Sequence, residues 1–170
     1  MSLTILIRGH MSSIPTLADV CFTKANFGVG LANSTLSVNT PRGVLSGSVA
    51  SVVPAGSGGG DYTVLPGDAT HEPIGLFVND AAGAAFDNAP AVASGKIAII
   101  KGIASVEVDV YETTSTAGGN PPITYNVGDK LFSSAQGFLT NENAGGQTVI
   151  GVCTKAPTVA SPTLGLDMRI

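Results

Sequence analysis

The chain has 170 residues but carries only 8 Lys+Arg and 12 Asp+Glu, so 12% of it is charged and the net charge is -4. An ordinary globular domain has about a quarter charged residues. Eight basic residues cannot supply the dense positive patch that phosphate neutralisation requires, which excludes that mode of nucleic-acid binding. No apolar run approaches the roughly 18–20 residues of a membrane-spanning helix. Val, Ile, Thr, Phe and Tyr number 53 against 14 for Glu, Lys, Arg and Gln, an all-β composition. At 17.0 kDa one core can form, burying roughly 70% of the unfolded surface. The mean hydropathy of +0.34 exceeds what a monomer of this size needs and points to a surface partly covered by another chain. A plainer reading is that Ala, Gly and Val raise the value without forming a patch.

In chain order, Leu3, Ile5 and Ile7 alternate with Ser2 and Thr4, as in a short strand or an extended arm. Arg8 follows the apolar stretch instead of preceding it, the wrong order for a secretory signal. Residues 8–19 are loop-like, with room for one helical turn at Leu17–Asp19. From Val20 to Leu45 the pattern is broken β, with Leu36 and Val38 in alternation, and Val44–Val53 alternates weakly. The run PAGSGGG at 54–60 reads as a flexible loop, dividing an N-terminal arm with a few strands (1–53) from a main body (61–170).

The body is better patterned. Strands are expected at 62–65, 74–78 and 96–101, then at 106–110, where Val106, Val108 and Val110 alternate with Glu107, Asp109 and Tyr111. A loop over 113–122 leads to strands at 130–134, 138–140 and 149–155 joined by hairpin-type connections. Leu164, Leu166, Met168 and Ile170 alternate at the C-terminus as the arm does at the start. Both ends therefore read as tied down, in the chain's own sheet or against a neighbour. The fold expected is a small β-barrel or β-sandwich with extended N- and C-terminal strands or arms. Leu3, Ile5, Ile7, Leu164, Leu166, Met168 and Ile170 are its candidate assembly interface.

Motifs that carry chemistry fail on their own residues. Gly28–Asn33 lacks the third glycine of a dinucleotide fingerprint, and Ser94-Gly95-Lys96 lacks both the first glycine and the Ser/Thr of a phosphate loop. His10 and His71 do not have metal-ligand spacing, and His71 beside Glu72 reads as a solvated pair ahead of Pro73. Asp80 and Asp87 lack the alternating oxygen ligands of a calcium loop. Asn33-Ser34-Thr35 matches a glycosylation sequon without a secretory context. Cys21 and Cys153 form no CxxC motif and read as small buried apolar thiols, a single bridge between them being left open. No catalytic, metal or cofactor site is expected.

Three segments combine differently: Val127-Gly128-Asp129-Lys130-Leu131-Phe132, then Gly137-Phe138-Leu139-Thr140, then Val149-Ile150-Gly151-Val152. Gly128-Asp129 suits a tight turn, with glycine free to take a positive φ and the carboxylate accepting local N–H bonds. Gly151 lets a neighbouring strand come close. The three segments suggest a twisted meander curling toward a barrel. They resemble the "GD-x-L … G-x-L-T … V-I-G-V" run of capsid decoration (cement) proteins of tailed bacteriophages, and Pro66-Gly67-Asp68 followed by Pro73–Val78 is an earlier echo. The resemblance spans residues 61–157, while the long N-terminal part and the 54–60 loop depart from compact members. It implies a non-catalytic virion protein, made in the bacterial cytoplasm, that sits on the outer capsid surface. Its partners would be the major capsid protein and further copies of itself, as a dimer or trimer, with no nucleic acid, membrane or cofactor. The competing expectation is a pilin-like, fibre or adhesin subunit assembled by strand exchange. An enzyme or sugar-binding module of a phage tail is a further one.

Overall fold

A computed structural model describes residues 19–25, 45–52, 63–78, 96–116 and 118–170; for 19–25, 63–66 and 96–98 it describes the backbone alone. Leu3, Ile5, Ile7, His10, Leu36, Val38, the 54–60 loop, Asp80 and Asp87 lie outside the described residues. The described part is all β. Its strands are β1 (Asp19–Ala25), β2 (Val49–Val52), β3 (Thr63–Pro66), β4 (Pro73–Phe77), β5 (Lys96–Lys101), β6 (Ile103–Val108), β7 (Lys130–Ser133), β8 (Leu139–Thr140), β9 (Gly151–Lys155) and β10 (Leu164–Arg169). Asp19, at the end of the segment allowed a helical turn, opens a strand instead.

The first five strands close into a small barrel in the order β1-β3-β2-β4-β5, sealed where β5 runs antiparallel to β1. The contact of β1 with β3 is parallel and the remaining barrel pairs are antiparallel. β1 and β2, from the N-terminal side of the 54–60 run, thus share a sheet with β3, β4 and β5 from its other side. The last five strands form a second sheet in the order β6-β10-β9-β7-β8. Gly102 joins the two units. At φ +93 it turns the chain from β5 into β6, a conformation that L side chains rarely adopt, and its N–H is bonded to the Ile170 carbonyl.

One core serves both units: Val49, Leu76 and Ile100 of the barrel pack with Val106, Leu131, Leu139, Ile150 and Leu166 of the second sheet. The sheets are also stitched by backbone, Val49 N–H donating to Gly137 O at 2.8 Å. In β6 the expected alternation is present but starts earlier, with Ala104, Val106 and Val108 buried and Val110 half-buried beyond the strand. The β7–β9 segment departs from a simple meander. β9 pairs with β7 and leaves β8 on the other side, so β7 lies in the middle. The 141–150 connection makes this possible by passing back over β7, where Gln147 Nε2 donates to Ser133 O at 2.6 Å and Ile150 N–H to Leu131 O at 2.8 Å.

Of the two readings of the C-terminal alternation, the chain's own sheet and a neighbour, the structure shows the first. β10 is paired along its length with β6 on one side and along four residues with β9 on the other. Leu164, Leu166 and Met168 are each 0% exposed, and Ile170 is partly buried against the same core. These residues are this chain's own core and cannot also serve as a strand for a neighbour. Removing 164–170 should therefore abolish the cooperative thermal transition seen by circular dichroism, instead of leaving a folded body deficient in assembly. A second test concerns Gly151, where an added Cβ would fall against the Asp167 carbonyl of β10, closer than real Cβ atoms approach. Gly151→Ala should lower stability by about 1–3 kcal/mol in urea titration. Gly118→Ala, in open space, should change it by less than about 0.5 kcal/mol.

Candidate functional site

The turn before β7 is a clamp built on Asp129. Gly128 takes φ +98, and Asp129 N–H closes the turn on Asn126 O at 3.1 Å. The Asp129 carboxylate accepts the Asn126 N–H at 2.8 Å and the Asn141 amide at 2.8 Å; that amide also donates to Thr124 O at 2.9 Å. Across the other side, Gly128 N–H donates to Cys153 O and Cys153 N–H to Asp129 O, each at 2.8 Å. One short turn thereby fastens the start of β7, the end of β8 and the middle of β9. The Asn126 N–H and then the Asn141 amide hold the Asp129 carboxyl below its ordinary 3.8, against a smaller opposing effect of burial.

Above this clamp, Tyr125 and Tyr111 meet edge to face, their ring centroids 5.6 Å apart. The Tyr125 hydroxyl donates to Glu112 O at 2.7 Å, and its burial raises the phenol pKa. Tyr111 also bridges to Leu139, so the 111–112 segment lies along the outer side of β8. Cys153 is a free, buried thiol whose pKa is raised by burial, with Asp129 adding to the rise and the Lys155 N–H opposing it. A thiol in that state is a packing residue and a poor nucleophile.

Between the barrel loop 67–73 and the loops 112–116 and 141–148 lie two adjoining depressions of about 350 and 290 Å³. They share Ala69, Ser133 and Gln147. Among the described residues their charged lining is Glu112 and Glu142 in the larger and Asp68 and Glu72 in the smaller, with His71 and no Lys or Arg. Hydroxyls serve the carboxylates. Ser134 Oγ donates to Glu112 at 2.6 Å, Ser115 Oγ to Glu142, and Thr148 Oγ1 faces both oxygens of Glu72 at 2.8 and 2.9 Å. The Thr148–Glu72 contact ties the second sheet's 141–150 loop to the barrel.

His71 is partnered by Asp68 and not by Glu72, its Nδ1 lying 2.6 Å from Asp68 Oδ2. The same carboxylate accepts the N–H groups of Thr70 at 2.6 Å and His71 at 2.7 Å. Burial works to raise the Asp68 pKa, but these bonds together outweigh it and lower the value. Ser133 Oγ donates to Ser134 O at 3.3 Å. Among the described residues, no group of three His, Cys, Asp or Glu could hold a metal ion. Among the described residues the groove thus carries carboxylates bonded to hydroxyls of the same chain, and a His71 paired with Asp68.

The expected turn residues Gly128 and Asp129 thus lie together in the clamp, and Gly151 lies two residues from its Cys153 contact, under β10. Glu112, Glu142 and Asp68 carried no signal as a group, being single acidic residues scattered over some 75 positions. Only the Asp68–His71 turn was readable locally, as an Asp capping the N–H groups two and three residues on. A scan against protein-family models matches none of them, and a search of curated proteins finds no match.

The clamp has a pH signature. A carboxyl whose folded pKa lies below its unfolded value contributes stability that is fully present above the unfolded pKa of about 3.8 and is lost as pH falls through the folded value. Wild-type stability should therefore drop as pH is lowered from about 4.5 toward 2.5. Asp129→Asn should start lower at pH 7 and fall less over that interval, as read from urea midpoints across pH. Parallel curves for the two proteins would show that Asp129 carries no such linkage.

Proposed function

We propose that this chain is a structural virion protein that binds the outside of a phage head and stabilises the shell by bridging neighbouring capsomers. The observation that carries the reading is the run from Val127 to Val152, which resembles that of tailed-phage decoration proteins and whose residues form the Asp129 clamp and the adjoining strands. A light charge and an all-β body suit a small subunit held against a shell. Its partners in this reading are the major capsid protein and further copies of the chain. A ligand that binds only the assembled, expanded shell stabilises that state by mass action, by about 2.7 kcal/mol per site at a hundred times its dissociation constant. Many copies would together oppose the internal pressure of packaged DNA.

A fibre or pilus subunit that donates its C-terminal strand is disfavoured, because β10 is already paired on both sides. The shell contact must come from other surfaces, of which the acceptor-rich groove is the most developed among the described residues. The test is to add the purified protein to heads that lack it. It should co-sediment with expanded heads in a density gradient and raise the temperature at which they release DNA. Protein that stays at the top of the gradient, with an unchanged release temperature, would overturn the reading.

A further inference from the structure

The connection from β8 to β9 is fastened differently from the rest of the second sheet. From Glu142 to Val149 every residue is half-buried or exposed, and among the described residues none of these makes a backbone–backbone hydrogen bond. Side chains hold the segment instead, at three points on three separate elements. Glu142 accepts the Ser115 hydroxyl and, at 3.3 Å, the Thr116 N–H. Gln147 Nε2 donates to Ser133 O of β7 at 2.6 Å, while Gln147 Oε1 accepts the Ala144 N–H at 2.8 Å. Thr148 Oγ1 donates to Glu72 on the barrel side, 2.9 and 2.8 Å from the two carboxylate oxygens. Between the first anchor and the other two, Gly145 and Gly146 take φ +104 and +71.

What lies against this segment is polar. Ser133, Ser134 and Thr140 are buried and line the larger depression. Lifting the segment would wet hydroxyl groups and expose little apolar surface, whose exposure is what makes unfolding costly. The bonds to be broken are side-chain bonds at partly exposed sites, and water replaces these at a modest net loss. Two consecutive glycines also gain more backbone freedom on release than other residues do. Both ends are firm. Asn141 is held in the clamp by Thr124 O and Asp129, and the buried Ile150 donates its N–H to Leu131 O and accepts that of Arg169. A segment rooted firmly at each end but tied down by side chains alone belongs to the low-stability end of a structure. Gln147 and Ser133, bonded to each other, line both depressions, so their bond stands where the two adjoin.

We propose that residues 142–149 form a strap that opens as one unit while both sheets stay folded, joining the two depressions into a single cleft. The barrel supplies the catch. Asp68 gathers the N–H groups of Thr70 and His71 into the turn that leads to Glu72, and Glu72 O accepts the Val52 N–H at 2.9 Å. Glu72 is thus set in place from the barrel side before it meets Thr148. Because eight residues share three anchors, loss of the Thr148 anchor loosens the Glu142 anchor at the other end. The proposal does not depend on the capsid reading.

Native-state proteolysis of the full chain with a glutamate-specific protease tests it, the cut sites being read by mass spectrometry. Cleavage after Glu142 reports the strap, and cleavage after Glu107, inside β6, reports unfolding of the second sheet. In the wild type the first should be about tenfold or more faster than the second, and insensitive to low urea because a local opening exposes little surface. Thr148→Val and Asp68→Asn, both remote from the bond cut, should each speed cleavage after Glu142 by about threefold or more while Glu107 is cut as before. Equal wild-type rates at the two sites would overturn the proposal, since the strap would then open only with the fold. Unchanged cleavage after Glu142 in both variants would overturn it as well, because the anchors would be acting separately. Equal speeding at both sites in both variants would do the same.

Discussion

The burial of β10 between β6 and β9 is the constraint on which the rest of this structure depends. It places Leu164, Leu166 and Met168 at the centre of the shared core and brings the end of the chain beside the Gly102 bend. Its tight fit against β9 requires Gly151, and the pairing slips by a residue at Gly165. Because β6 follows β5 without a loop, holding β6 against β10 also holds the barrel against the second sheet. The two sheets share a core, in which Val49, Leu76 and Ile100 of the barrel pack with Leu131, Leu139, Ile150 and Leu166 of the second sheet.

Polar chemistry is arranged around that core, not within it. Asp129 binds three strands through one carboxylate and one turn, and Glu72, Glu112 and Glu142 each accept a hydroxyl at a seam between loops. In a chain with so few charges, each of these four carboxylates accepts from a particular backbone, amide or hydroxyl donor. Those of Glu72, Glu112 and Glu142 line the groove between the barrel loop and the loops of the second sheet.

The two ends of the chain are alike in sequence. Each shows apolar residues at every second place, and each reads equally well as an arm for a neighbour. The C-terminal one is a central strand, and a central strand has no unpaired backbone to offer. What alternation cannot convey is whether the partner of a strand lies in the same molecule, because one face is buried and the other solvated in either case.

By itself the sequence determined the all-β class, most strand positions from 62 onward, the Gly128-Asp129 turn and the close approach at Gly151. Local physics sets these: side-chain period, β-branched content, the freedom of glycine and the reach of a short carboxylate. Only the tertiary structure decided the order of strands, the placing of β7 between β8 and β9, the interior position of Leu164, Leu166 and Met168, and the meeting of Glu112, Glu142, Asp68 and Glu72 along one groove. Those features arise from pairings between segments distant in sequence, where backbone hydrogen bonds are interchangeable and the choice is made by how all the apolar faces close on one core.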